Sequence, residues 1–287
     1  MSKKHIFLIL MLIVFISVSC LGIEIPFKTQ PKTGETVTDP IDIPVPDKTD
    51  TSVTLSFGAG KLNILPSTGN SLLTGTTTYN VEDFKPEITV TDNTVTVKQG
   101  NLTLNAVPTI NDKIKNMWNL ALTNHPVDLT VKAGAYEGNY ELGGLSITNL
   151  HIADGAATVE LSFTMPNQVA MNSFRYETGA SDISLKNLSN ANFQTMIFQS
   201  GAGNYDLDFS GILQQNASVF IETGVSRTVI TVPQGTPAEA QFEGSLTQIK
   251  VKGDWQESGE KYINPGQGHT LTFIIETNAG TVTLQNP

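Results

Sequence analysis

The sequence predicts an all-β fold, a solenoid-like stack of short strands with glycine turns at a period of about 22 residues. Three observations carry this. From Thr51 onward, short runs rich in Val, Ile, Thr and aromatic residues alternate apolar with polar and are punctuated by Gly, Asn, Asp and Pro, the pattern of half-buried strands. Four-residue signatures recur around single glycines: Phe57-Gly-Ala-Gly, Thr178-Gly-Ala-Ser, Ser200-Gly-Ala-Gly and Thr223-Gly-Val-Ser. Charged residues make up 15% of the 287 residues, against about 25% in ordinary globular chains. Stacked strands would set like charges opposite one another, a destabilising arrangement that Thr, Ser, Asn and Gln avoid.

The first nineteen residues read as an export signal, with Lys3 and Lys4 followed by an apolar run from Ile6 to Val18. A run of thirteen residues suits a signal peptide and falls short of the ~20 needed to span a bilayer. The single cysteine, Cys20, ends this run after Ser17-Val18-Ser19, which resembles the lipobox of bacterial lipoproteins, with Ser17 where that family usually has Leu. The resemblance implies that Cys20 is acylated and becomes the mature N-terminus; the alternative is an ordinary secretory signal with an incidental cysteine. An exported chain with one Cys has no intramolecular disulfide available. Residues 1–19 hold two lysines and no acid, so cleavage takes the formal charge from −10 to −12. An acidic body has no electrostatic footprint for nucleic acid and no basic segment for anionic headgroups, so the expected bilayer contact is through acyl chains.

Residues 20–50 contain Pro26, Pro31, Pro40, Pro44 and Pro46 among Lys, Thr and Asp, a linker composition. Residues 51–112 are expected to form an N-terminal β segment packed on a main β domain of residues 113–287. With Gly58, Gly155, Gly179, Gly201 and Gly224 each taken as zero, apolar side chains recur at −5, −3, +4 and +6. The quartets are Val53, Leu55, Leu62, Ile64; Leu150, Ile152, Val159, Leu161; Phe174, Tyr176, Ile183, Leu185; and Met196, Phe198, Tyr205, Leu207. Around Gly224 they are Val219, Ile221, Thr228 and Ile230, and Gly134 gives a partial copy. Spacings from Gly134 onward are 21, 24, 22 and 23 residues, a solenoid period. Each unit cannot bury its apolar face alone, so successive units must stack. Glycine at the corner is expected for positive φ and for close approach of neighbouring coils. Residues 253–268, around Trp255, Tyr262 and Pro265, read as an inserted loop.

Trp118-Asn-Leu-Ala-Leu122, His125-Pro-Val-Asp-Leu129, the glycine repeats and Ala279-Gly-Thr-Val-Thr-Leu284 together resemble the toast-rack family. That family includes putative adhesin domains and is similar to the C-terminal domain of proteins that respond to cell-wall antibiotics. The resemblance implies a stack of strands without established catalytic residues.

No motif points to enzymatic chemistry. Tyr205 stands where a calcium-binding nonapeptide needs Asp, no Gly-Lys-Ser/Thr follows the glycines, and His125, His151 and His269 lack metal-ligand spacing. No catalytic or metal residue and no cofactor is expected, and the ligand-binding residues are unknown. The repeat register turns Glu160, Asp182, Asp206, Asp208, Glu177 and Glu222 outward as a solvated acidic face, predicts a Lys186–Asp208 ion pair, and turns Ile197, Phe220 and Val229 outward, where a covering segment is expected. The expected function is a membrane-anchored envelope lipoprotein with a non-catalytic, adhesin-like scaffold binding an unidentified protein or glycan. The alternatives are an envelope-stress regulator and a polysaccharide-acting enzyme using Asp206 and Asp208.

Overall fold

The computed structural model describes residues 32–47, 50–100, 113–243 and 247–287. The expected signal peptide, Cys20 and the first prolines of the expected linker lie outside the described residues. The compact unit of residues 33–102 and 110–287 is built almost wholly from strands, as the sequence predicts.

Seven long strands form the rack. They are β2 (Thr51–Ser67), β7 (Val127–Glu141), β8 (Ile147–Ser162), β9 (Met171–Lys186), β10 (Phe193–Asp208), β11 (Ala217–Thr231) and β16 (Leu271–Gln285). All run parallel, in the spatial order just given. The predicted quartets are buried in register, with Phe174, Tyr176, Leu185, Met196, Phe198 and Leu207 all at 0% exposure. Along β9 the inward residues are Phe174, Tyr176 and Thr178 before the glycine, and Ser181, Ile183 and Leu185 after it. Two successive outward residues, Gly179 and Ala180, therefore switch the parity of the strand. Each long strand thus has two arms whose inward faces share one apolar core. Within β10, Phe198 from one arm meets Tyr205 from the other edge-on at 5.1 Å.

Close approach of the next strand requires glycine at Gly134, Gly179, Gly201 and Gly224, and the expectation of positive φ at the corner is corrected. None of Gly134, Gly155, Gly179, Gly201 and Gly224 has positive φ. A Cβ on Gly179, Gly201 or Gly224 would lie 2.4, 2.5 or 2.2 Å from the carbonyl oxygen of the preceding corner glycine. Positive φ instead falls two residues later, at Gly60, Gly203 and Gly280.

The outermost rungs are split. At one end, β5 (Thr94–Gln99) pairs with the first arm of β2 and β6 (Asn116–Thr123) with its second. At the other, β12 (Ala238–Glu243) and β13 (Thr247–Lys252) divide β16 in the same way. The chain therefore passes β16's place, builds the outer rung first, and returns to insert β16 against β11. Asn278 takes the corner position in that strand, since Thr277 and Ala279 align with Thr223 and Val225.

Two further stretches differ from expectation. Residues Val37–Pro44 of the expected linker form β1, antiparallel to β3 (Ser71–Tyr79). Ile41 and Ile43 alternate into the core, and β1 borders the sheet, where proline is tolerated for want of a neighbour needing its donor. The expected loop at 253–268 contains the hairpin β14 (Gln256–Ser258) and β15 (Lys261–Asn264), which extends the sheet beyond β12 and buries Trp255.

Candidate functional site

Parallel stacking turns each outward repeat position into a row that crosses the rack. In the first arm, the row two residues before the corner reads Glu177, Gln199, Glu222, Glu276 and Glu243 on β9, β10, β11, β16 and β12. Polar partners hold its first members. Glu177 accepts from Arg175 at 2.8 Å and meets the His151 ring at 2.6 Å, and Arg175 also donates to Gln199, which donates to Glu222. Hydrogen bonding from Arg175, then from His151, pulls the Glu177 carboxyl down to about 2.

In the second arm, Lys61, Glu137, Glu160, Asp182, Asp206 and Arg227 line an open groove of about 690 Å³. Lys61 pairs with Glu137 at 2.6 Å, and Asp182 accepts from Asn204 at 2.7 Å. The predicted Lys186–Asp208 pair does not form. Lys186 reaches diagonally to Glu160, while Asp208 accepts from the backbone N–H and hydroxyl of Ser210 at the strand end. The short Ser210 loop places a donor nearer to Asp208 than the neighbouring strand does. Asp206 and Asp208 therefore differ in role, one exposed and one committed to its turn. Of the outward apolar residues, Val229 is covered at 7% exposure, Ile197 is half-buried and Phe220 remains 40% exposed.

The residue that sequence reasoning missed is Asp154, immediately before the corner of β8. Its carboxylate accepts from Tyr176 at 2.9 Å, Tyr136 at 3.3 Å and Ser181 at 3.5 Å, and from Thr178. Tyr140 donates to Tyr136 at 2.9 Å, so three tyrosines converge on one acid. Burial raises the Asp154 carboxyl despite these donors, and burial likewise holds all three phenols well above their ordinary range. The available signal was a row: the corner-minus-one positions read Phe57, Ala133, Asp154, Thr178, Ser200, Thr223 and Thr277, an acid among residues that turn inward.

A raised carboxyl pKa favours the native state when protonated, so this contribution is present at low pH and lost as pH rises through the window above the unfolded value of about 3.9. Asp154→Asn removes the charge but offers one acceptor oxygen where the carboxylate offers two, one to Thr178 and Ser181 and the other to Tyr136 and Tyr176, so at pH 7 it should cost less than Asp154→Ala. Asp154→Ala, which strands the hydroxyls, should cost about 2–4 kcal/mol. Urea unfolding at pH 7 checks both, and equal losses in the two variants would rule out the acceptor role.

The arrangement is one of partly paired polar ladders around a structural hub. Among the described residues, no group of three or more His, Cys, Asp or Glu side chains could hold a metal ion. Among them, too, no helix is long and apolar enough to cross a membrane.

With this geometry in view, residues 31–173, about half of the chain, match the family described as the N-terminal domain of toast_rack, DUF2154. The chain belongs to the toast-rack family. The match begins before β1 and ends in β9, so it joins the edge strand, the split first rung and the first long strands in one unit. A crystal structure of a putative cell adhesion protein from Clostridium sporogenes superposes with a TM-score of 0.50 at 19% identity, covering 88% of this chain and 100% of that one. At that identity the likeness establishes the shared fold. A putative adhesin from Bacteroides fragilis is similar at a TM-score of 0.41 and 12% identity, covering 89% of this chain and 99% of its own. A putative lipid binding protein from Parabacteroides distasonis gives a TM-score of 0.37 at 10% identity, covering 87% and 97%. Comparison with curated proteins gives no match.

Proposed function

We propose that the chain is a cell-envelope lipoprotein, cleaved before Cys20, held on the outer face of the bacterial membrane by acyl chains on that residue, and displaying its toast-rack body as a non-catalytic interaction scaffold. The observation that carries the scaffold role is the pair of outward polar faces, where rows of side chains repeat at strand spacing and engage one another instead of converging on a reactive group. Such rows suit an extended protein or glycan better than a small substrate. The anchor rests on the sequence around Cys20. Residues 21–36 between it and β1 can reach at most roughly 55 Å, so the scaffold would work close to the membrane surface.

Each buried CH₂ of an acyl chain contributes ~0.8 kcal/mol to membrane attachment, so two signals together give a stable anchor. In detergent phase separation the mature parent should enter the detergent phase and Cys20→Ala should stay aqueous. A parent that stays aqueous removes the anchor. The scaffold reading has its own test, capture from envelope material on immobilised 33–287 body. The fragment starts at 33 because Ile41 and Ile43 of β1 belong to the core.

A further inference from the structure

The described strands leave four edges, and three carry devices that discourage pairing. β1 has Pro40 and Pro44, β13 has exposed Lys250 and Lys252, and β14 is three residues long. The fourth, β4 (Pro86–Thr91), pairs among the described strands only with β5, and its one proline stands at the strand's first position, leaving Glu87–Thr91 uninterrupted. Its Ile88 and Val90 stand opposite Val97 and Val95, which are fully buried, so they continue the core face. Yet Ile88 is 44% and Val90 51% exposed. An exposed β-branched edge of this kind is a template for another strand.

We propose that β4 pairs antiparallel with β4 of a second copy, about a two-fold axis through Thr89. The strand is complementary to itself. A two-fold at Thr89 keeps side-chain parity, sets Ile88 against Val90 of the other copy on the apolar face, and sets Glu87 against Thr91, so that no like charges stand opposite one another. It joins the first-arm sheets of two racks into one and closes the contact, leaving no further free β4 edge to propagate. A six-residue strand pair buries less than the ~1,200 Å² of a standard interface, so the association is weak and is best read by trapping.

The trap is disulfide formation in the full chain, with Cys20→Ser as a second background. Opposed residues in an antiparallel pair have Cα atoms about 4.5–5.5 Å apart, within disulfide reach. Thr89→Cys should therefore cross-link to itself, at least tenfold more than Glu87→Cys or Thr91→Cys alone, whose copies would stand about 13 Å apart. Adding Val90→Lys to Thr89→Cys should reduce the product about tenfold. No dimer, equal dimer from all three single cysteines, preferential self-cross-linking of Thr91→Cys, or a mixed disulfide with a different protein would each overturn the proposal.

Discussion

Gly224→Ala is expected to lower the stability of the body by about 3 kcal/mol or more, as overpacking against a fixed backbone does. The added Cβ would sit 2.2 Å from the carbonyl oxygen of Gly201, and neither atom belongs to a side chain that can swing away. The backbone of β11 would have to separate from β10 at the corner, breaking hydrogen bonds on both arms. The effect opposes the general trend, in which Gly→Ala at a compatible site stabilises by about 0.4–1 kcal/mol through the unfolded chain. The same column supplies its own comparison. At Gly155 the corresponding Cβ lies 3.1 Å from Gly134, so a displacement of a few tenths of an ångström accommodates it. Gly155→Ala should therefore cost much less than Gly224→Ala in the same urea titration. Equal losses would mean that strand spacing at the corner is not what selects glycine.

Leu207→Asp is expected to unfold the body outright. Leu207 is at 0% exposure, six residues past its corner, in register with Leu185 and Ile230, themselves fully buried. A carboxylate there has no partner, and the several kcal/mol needed to bury or protonate it is comparable to the whole stability of a domain, typically 5–15 kcal/mol. The neighbouring residue on the same strand gives the control. Asp206 is exposed, and Asp206→Asn should change stability by no more than about 0.5 kcal/mol. Thermal melts followed by far-UV circular dichroism separate the two, and a native melt for Leu207→Asp would refute the inward register.

These two results bear on what the sequence makes legible. The quartets at −5, −3, +4 and +6 specify both faces of each strand because burial acts on side chains one at a time. Features that depend on which strand lies beside which escape such a reading. The Lys186–Asp208 pair is correct in row but not in partner, because the loop after β10 offers Asp208 the donors of Ser210. The insertion of β16 between β11 and the split outer rung leaves no local mark, since strand order within a parallel stack does not alter strand pattern. Prolines obscured β1, whose two buried isoleucines are a short signal within a linker-like composition. Asp154 was legible only once its row was assembled across strands, where an acid among inward hydroxyls marks the hub that joins Tyr136, Tyr176 and Thr178.

The central claim is that seven parallel strands stack in one register from β2 to β16. Lys61 and Thr281 occupy the same outward row, linked through Glu137, Thr158, Asp182, Asn204 and Arg227. Six steps of about 4.8 Å place their backbones roughly 29 Å apart. Electron–electron double resonance on the 33–287 body, spin-labelled at Lys61→Cys and Thr281→Cys, reads that distance directly. A narrow distribution centred near 30 Å is the expected result, and a distance beyond about 40 Å, or two separated populations, would contradict the single stack.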